Sequence, residues 1–512
     1  MTERDHDRLV RNLLQTLGQP ESSLIQTHIS SVIIAKDVVY KLKKPVDFGF
    51  LDYSTLERRK RFCQEEVRIN GRYAPLLYLG VVAVTGSIEA PELDGEGPAI
   101  EYAVKMRRFD AGAQLDNIAS ERGLTDEECD AVADTAAAMH DGASVVDSES
   151  DYGTPARVIM PMQENFDLMA SLHRDGDLAA DVAALEQWTR AEHARLTPLL
   201  QQRRDEGLVR EVHGDMHLHN MALFEGRPML FDAIEFNPYL NHIDVISDLA
   251  FLLMDLEYRG LARQSRRILN RYLEHTGDYA AVALLPFYKT YRAMVRAKVL
   301  ALHAAQEIAE EERESVVEEV RSYIALAKSY GEKGEPFLMI MHGVSASGKS
   351  TLALEAVEAF GALRLRSDIE RMRLFRSEGE EVDIYTAEAT TATYGRLETL
   401  AETVLKAGCS AVADATFLSQ EQREPFAVLA ARLGVPYAIL DIECGEEELL
   451  RRIRLRGEKG DDVSEADEAV LAMQQSRVKP LLQSEQAFRF VLQCDAPLPV
   501  KALTAFIGAQ KS

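Results

Sequence analysis

The sequence predicts a mixed α/β and α+β chain: a β-rich lobe, a larger helical lobe, and a C-terminal α/β domain with a mainly parallel sheet. Three observations carry this. At roughly 100 to 200 residues per domain, the 512-residue chain has room for about two to four domains. Strand-like text gives way near residue 124 to a mostly helical pattern rich in Ala, Leu, Glu and Arg. After residue 336 an apolar run turns into a glycine and serine loop and then a helix, and strand and helix alternate to the end.

Taken in order, IQTHISSVIIAKDVVYKLKK (25–44) reads as β-rich runs broken by the polar turn Ala35-Lys36-Asp37. LERRKRFCQEEVRINGRYA (56–74) reads as a helix, and LYLGVVAVTGSIEA and GPAIEYAVKMRRF return to strands. The helical lobe is interrupted near 207–247 by short strand-like runs around VHGDMHLHNMALFEGRPMLFDAIEF. A charged helical pattern then ends in Gly331, Gly334 and Pro336, which are helix stop signals and set the expected boundary. The expected units are 1–333, with a small lobe about 1–110 and a helical lobe about 111–333, and 334–512.

The net charge of −25 disfavours a broad polyanion or anionic-membrane footprint but allows a local basic pocket. Five scattered cysteines without a CxxC pair suggest neither a disulfide framework nor a zinc site. The charged N-terminus and the lack of any apolar run near the ~20 residues of a bilayer span point to a cytoplasmic protein without membrane segments.

Gly343-Val344-Ser345-Ala346-Ser347-Gly348-Lys349-Ser350 matches G-x-x-x-x-G-K-[ST] between a strand and a helix. Phosphate oxygens need several converging donors, and the two glycines let backbone N–H groups turn inward at the positive end of the following helix. Lys349 is expected on the β- and γ-phosphates of ATP and Ser350 on Mg²⁺, with Ser345, Ser347 and Thr351 completing the nucleotide site. In LRLRSDIERMRLF (363–375), Asp368 is placed to accept the proton of a substrate hydroxyl, with Arg371 on the same helical face. Asp414, ending the apolar run CSAVADA, suits the Mg²⁺ shell. Among Arg451, Arg452, Arg454 and Arg456, the pair Arg452 and Arg456, one turn apart, is favoured for neutralising a transferring phosphoryl group. These residues resemble the small-molecule P-loop kinases, including gluconate-kinase-like, zeta-toxin-like and polynucleotide-kinase-like enzymes. The resemblance implies a P-loop NTPase domain over about the last third of the chain.

His213-Gly214-Asp215-Met216-His217-Leu218-His219-Asn220, followed by Asp232 in MLFDAIEF, has the spacing of a phosphotransferase loop. Asp215 would orient or deprotonate the acceptor, and Asn220 and Asp232 would hold metal. HGDMHLHN and LFDAIEF resemble the signatures of the aminoglycoside phosphotransferase and choline kinase superfamily, which implies a bilobal protein-kinase-like fold. By that resemblance Lys41 would hold the α- and β-phosphates, Glu65 or Glu66 would pair with it, the adenine hinge would lie near Met106, and Asp248 would support the loop. Helical phase, with Ile69 four residues on, favours Glu65. No G-x-G-x-x-G loop precedes VVYK, where His28-Ile29-Ser30-Ser31-Val32 stands instead.

Together these features predict an ATP- and Mg²⁺-dependent phosphotransferase with two nucleotide sites and a small-molecule hydroxyl as acceptor. The rivals are a nucleotide-sensing regulatory protein with a degenerate kinase lobe, a kinase of RNA or DNA 5′ ends, and an antibiotic-modifying enzyme. The H-x3-H-x-H spacing of His213, His217 and His219 also admits a metal trio, a reading the kinase pattern displaces. The oligomeric state is left open.

Overall fold

The computed structural model describes residues 1–20, 23–49, 51–172, 177–306, 309–332, 334–375, 384, 386–459 and 468–510. The chain forms two compact units, Met1–Gly260 with Phe287–Ser329, and Leu261–Pro286 with Tyr330–Ser512.

The first unit opens with α1 (Glu3–Thr16), started by a capping box in which Thr2 and Asp5 exchange side-chain and backbone bonds. There follow β1 (Leu24–Gln26), β2 (Ser30–Ile34), β3 (Val38–Lys43), α2 (Leu56–Tyr73), β4 (Tyr78–Gly86), β5 (Pro91–Leu93) and β6 (Glu101–Arg107). The sheet runs β1-β2-β3-β6-β4-β5 and is antiparallel throughout. One apolar face of it closes on Leu9, Val10, Leu13 and Leu14 of α1. Alternation along Val38-Val39-Tyr40-Lys41-Leu42-Lys43 sends Lys41 and Lys43 to the same face, away from that core.

The helical lobe contains α3 (Leu115–Glu121), α4 (Asp126–Asp141), α5 (Pro155–Val158), α6 (Met160–Leu172) and α7 (Asp177–Asp205). After β7 (Val209–Glu211) come the hairpin β8 (Met221–Phe224) and β9 (Arg227–Leu230), then α8 (Pro238–Asn241), β10 (His242–Asp244) and α9 (Val245–Tyr258). α9 is the most apolar of these helices and is buried from Val245 through Leu256. The chain then passes into the second unit with α10 (Ala262–Thr276) and returns with α11 (Leu285–Ala304) and α12 (Glu310–Ser329).

That excursion departs from a single cut at 333/334. Residues 261–286 belong to the second unit because α10 is charge-matched to it: Arg263 and Arg267 pair with Glu358, and Glu274 binds Arg364 at 2.8 Å. This stretch is more strongly amphipathic than its neighbours α9 and α11, but amphipathicity does not say which unit its apolar face covers.

The remainder of the second unit is β11 (Leu338–His342), α13 (Lys349–Phe360), β12 (Leu363–Arg366), α14 (Ser367–Phe375), α15 (Ala387–Lys406), β13 (Ala411–Asp414), α16 (Gln420–Leu433), β14 (Tyr437–Glu443), α17 (Glu446–Lys459), α18 (Glu468–Arg477), β15 (Arg489–Gln493) and α19 (Val500–Ala509). Its sheet, β12-β13-β11-β14-β15, is parallel in every pairing. β11 is central and all five of its residues are buried, so it reads as a continuous apolar run instead of an alternation. A second departure concerns the cysteines. β14 and β15 run side by side, and the residues just beyond their ends, Cys444 and Cys494, form a disulfide. Among the described residues no helix is long and apolar enough to cross a membrane.

Candidate nucleotide and phosphoryl-transfer sites

In the second unit the chain leaves β11 at His342 and must turn back sharply before α13 begins at Lys349. Gly343 and Gly348 make this turn with φ of 145° and 98°. A Cβ on Gly343 would meet Ser347 Oγ at 3.0 Å and the Ile442 carbonyl at 3.2 Å. Lys349 Nζ donates to the Val344 carbonyl at 2.6 Å, and the Ser345 N–H donates to Gln474 Oε1 at 2.7 Å. Two of the loop's donors thus meet neutral oxygens. Beside the loop a cavity of about 560 Å³ is lined by Gly348, Thr351, Leu352, Glu355, Arg452 and Asp495.

Asp414 ends β13 and is buried, and its Oδ2 has no hydrogen-bond partner. The Ser347 hydroxyl is likewise buried and unpartnered. A buried carboxylate oxygen left without a donor is costly unless a cation completes it. With the Ser350 hydroxyl on α13, Asp414 offers the hard oxygen donors that suit Mg²⁺. Asp368 lies in the first turn of α14, where burial and the nearby Asp414 carboxylate raise its pKa against the lesser pull of Arg366, Arg371 and Lys349. Arg371 instead donates to the Ile384 carbonyl at 2.9 Å. Arg452 binds Glu448 and Asp495, each at 2.6 Å, and reaches the Cys494 carbonyl at 3.2 Å. Arg451 pairs with Glu448 and Arg454 with Glu468, while the Arg456 side chain lies outside the described residues.

Sequence reasoning gave no role to α10, yet it braces this site. Asn270 Oδ1 accepts from the Arg364 N–H at 2.8 Å, and Arg364 extends from Glu274 to the Ser350 carbonyl at 2.9 Å.

In the first unit Gly214 turns at φ 81°, and a Cβ there would lie 2.6 Å from the Leu240 carbonyl. Asp248 accepts the backbone N–H of His213 at 3.1 Å and of Gly214 at 2.9 Å, so it supports the loop. Arg292 on α11, unmarked by any motif, donates to the Gly214 carbonyl at 2.9 Å from the other side. Asp215 accepts from Asn220 Nδ2 at 2.9 Å and sits 3.3 Å from His217 Nε2. Burial alone would raise the Asp215 pKa, but His217, His213 and Arg292 hold it below the ordinary carboxylate value. His213 bonds the Phe231 carbonyl and His219 bonds Asp116, and among the described residues no group of three or more His, Cys, Asp or Glu is placed to hold a metal.

Asp232 adopts a left-handed backbone, φ 63°, and its carboxylate binds Lys41. Glu66 binds the same lysine at 3.0 Å, whereas Glu65 pairs with Arg68 at 2.8 Å. The helical-phase argument for Glu65 fails because the buried face of α2 runs Arg59, Cys63, Glu66 and Asn70, with Ile69 at its margin. Met106 is the penultimate residue of β6, paired with Val39 and Tyr78. Where a phosphate-covering loop would stand, Thr27 and Ser30 close a tight turn, which Lys44 pins by donating to the Thr27 carbonyl at 2.6 Å.

The chain is 29% identical over 473 residues to uncharacterized proteins of Mycobacterium bovis and Mycobacterium tuberculosis, spanning 90% of this chain and 91% of each relative. Among solved structures, an amicoumacin kinase in complex with AMP-PNP and Ca²⁺ covers 64% of this chain and 96% of its own, at 12% identity and a TM-score of 0.40. A gluconokinase from Sinorhizobium meliloti covers 35% of this chain and 94% of its own, at 18% identity and a TM-score of 0.26. Residues 338–481, which contain the glycine loop, Asp368, Asp414 and the arginine-rich helix, match the AAA domain family.

Proposed function

We propose that the protein is an ATP- and Mg²⁺-dependent phosphotransferase that carries the γ-phosphoryl group to a hydroxyl of a small molecule, with one nucleotide site in each unit. The observation that carries this is the buried, unpartnered Asp414 oxygen beside a base-like Asp368 and the Lys349 loop. In the second unit Lys349 and the loop N–H groups bind the phosphates, Ser350 and Asp414 hold the metal, and Asp368 takes the proton of the acceptor hydroxyl. Mg²⁺, when bound, neutralises charge between the β- and γ-phosphates. Arg371 and Arg452 lie in reach of this chemistry only after exchanging their present carbonyl and carboxylate partners. In the first unit Lys41, paired with Glu66, holds the phosphates, Asn220 and Asp232 hold the metal, and Asp215 orients the acceptor.

The test is incubation with γ-labelled ATP and a metabolite and RNA extract, using wild type, Asp215→Asn and Lys349→Ala. Label on a small molecule that is lost in one variant assigns the transfer to that unit, and absence of label anywhere sinks the reading. Label on RNA ends would favour a nucleic-acid acceptor, whose binding should weaken steeply with salt. A second reading, in which the first unit binds nucleotide without turnover, is favoured by the closed Thr27–Ser30 turn in place of a phosphate cover. It predicts label lost in Lys349→Ala alone.

A further inference from the structure

The nucleotide lysine of the first unit has a second lysine behind it. Lys43 lies two residues along β3 on the same face and is 1% exposed. Its ammonium donates to Glu66 Oε2 at 2.7 Å, while the Lys41 ammonium lies 3.0 Å from Glu66 Oε1 as an ion pair without a hydrogen bond, so one fully buried carboxylate faces both lysines. Lys43 also binds Glu235, three residues beyond Asp232, and Tyr53 donates to the same Glu235 oxygen at 2.6 Å. The Tyr53 ring lies under the Lys43 ammonium, 4.9 Å from centroid to nitrogen.

We propose that Lys43, Glu235 and Tyr53 are positioning residues, which hold Lys41 through Glu66 independently of Asp232. This rests on the nucleotide site proposed for the first unit. Lys41 has two anionic partners in the structure, and Asp232 is the one with a second task. When Asp232 turns to that task, Glu66 alone must keep the Lys41 ammonium in place. A carboxylate with one cationic partner follows that partner; one clamped between two does not. Lys43 supplies the clamp, and Glu235 balances Lys43 so that no buried ammonium is left with a half share of Glu66. Two lysines face three carboxylates here, Glu66, Glu235 and Asp232, and the surplus negative charge suits a site that must also admit a divalent cation.

The segment carrying Asp232 is fixed along its length. The Asp232 N–H donates to Tyr78 Oη at 3.1 Å, the Ala233 N–H to Asn70 Oδ1 at 2.9 Å, and the Ile234 N–H to the His213 carbonyl at 3.0 Å. Glu235 thus meets Lys43 from a backbone whose position is already set, which makes the clamp geometric and not only electrostatic.

The test uses the full chain carrying Lys349→Ala, so that nucleotide binding reports the first unit. Affinity for Mg·AMP-PNP is measured by calorimetry, and folding by circular dichroism and melting. Lys43→Met and Glu235→Gln are each expected to weaken binding about tenfold, the lower range for loss of a partner that orients a binding group. Adding Lys41→Ala to Glu235→Gln should then cost much less than Lys41→Ala alone, a non-additivity that a merely structural role would not produce. Folded variants that bind as tightly as the Lys349→Ala chain, or strictly additive losses, overturn the proposal while the nucleotide site stands. If the Lys349→Ala chain itself binds no Mg·AMP-PNP, the site reading fails and the proposal falls with it. Should Lys43→Met not fold, the near-isosteric Glu235→Gln decides. Should that also unfold, Tyr53→Phe is expected to weaken binding about threefold, and unchanged affinity there counts against the clamp.

Discussion

Asp215 and Asp368 are the two carboxylates proposed to meet an acceptor hydroxyl, and their surroundings push them in opposite directions. In the first unit His217, His213 and Arg292 outweigh burial and keep Asp215 ionised far below the usual range. In the second unit burial and the unpartnered Asp414 raise Asp368. The two aspartates proposed to hold metal differ in the same sense, since Asp232 is paired with Lys41 whereas Asp414 has a bare oxygen. The first site has its charges paired within the protein and is built to orient. The second holds two carboxylates that repel one another until a cation arrives, and its Asp368 is the stronger base.

The largest expected effect breaks the comparison at the phosphate. Lys349→Ala should reduce phosphoryl transfer by the second unit by about 10²–10³-fold, the scale of losing one charged transition-state donor. Transfer that is unchanged in this variant but lost in Asp215→Asn would move the chemistry to the first unit.

Next come the two carboxylates themselves. Asp368→Asn should lower the second unit's transfer by about 10²-fold, the lower end for loss of a general base. Stability separates the pair further. A carboxyl with a raised folded pKa holds its proton better folded than unfolded, so its stabilising share is present at low pH and lost as pH rises through that pKa. Above that pKa ionised Asp368 therefore destabilises, and there Asp368→Asn should raise the melting temperature while removing activity. Asp215, whose folded pKa is depressed, contributes stability above the ordinary carboxylate pKa and loses it as pH falls, so Asp215→Asn should lower the melting temperature at pH 7. Shifts of the same sign in both variants would erase the contrast. In pH profiles, the acid limb of transfer by an Asp215→Asn chain should lie at higher pH than that of a Lys349→Ala chain.

Much of this was legible in residue order, and what was not has physical reasons. The strand, glycine loop and helix from 338 to 360 are local, so the sequence alone located them. The spacing of Asp215, Asn220 and Asp232 is likewise set within one loop and one hairpin. Glu235 was hidden because its partners, Lys43 and Tyr53, lie about 190 residues away in sequence, and nothing about a glutamate three places after Asp232 announces a buried lysine. Arg292 and α10 were missed for the same reason: each acts on a loop or strand far along the chain, through ordinary-looking amphipathic helices. The Cys444–Cys494 pairing depends on which strands of the parallel sheet are neighbours, and cysteine counting carries no such information.

The smallest expected effect tests the one place where periodicity misled. Glu65 and Glu66 are adjacent on α2, yet Glu66 is fully buried against Lys41 and Lys43 while Glu65 makes a partly exposed pair with Arg68. Glu66→Gln keeps shape but halves the clamp on Lys41, and should raise the first unit's KM for ATP about tenfold. Glu65→Gln removes an i,i+3 surface pair worth about 0.2–0.5 kcal/mol and should leave KM unchanged. The two substitutions are identical in chemistry and one residue apart, so composition and general loss of charge cancel between them. Equal effects on KM would mean that Lys41 is not held by Glu66, and the charge-paired description of the first site would fail with it.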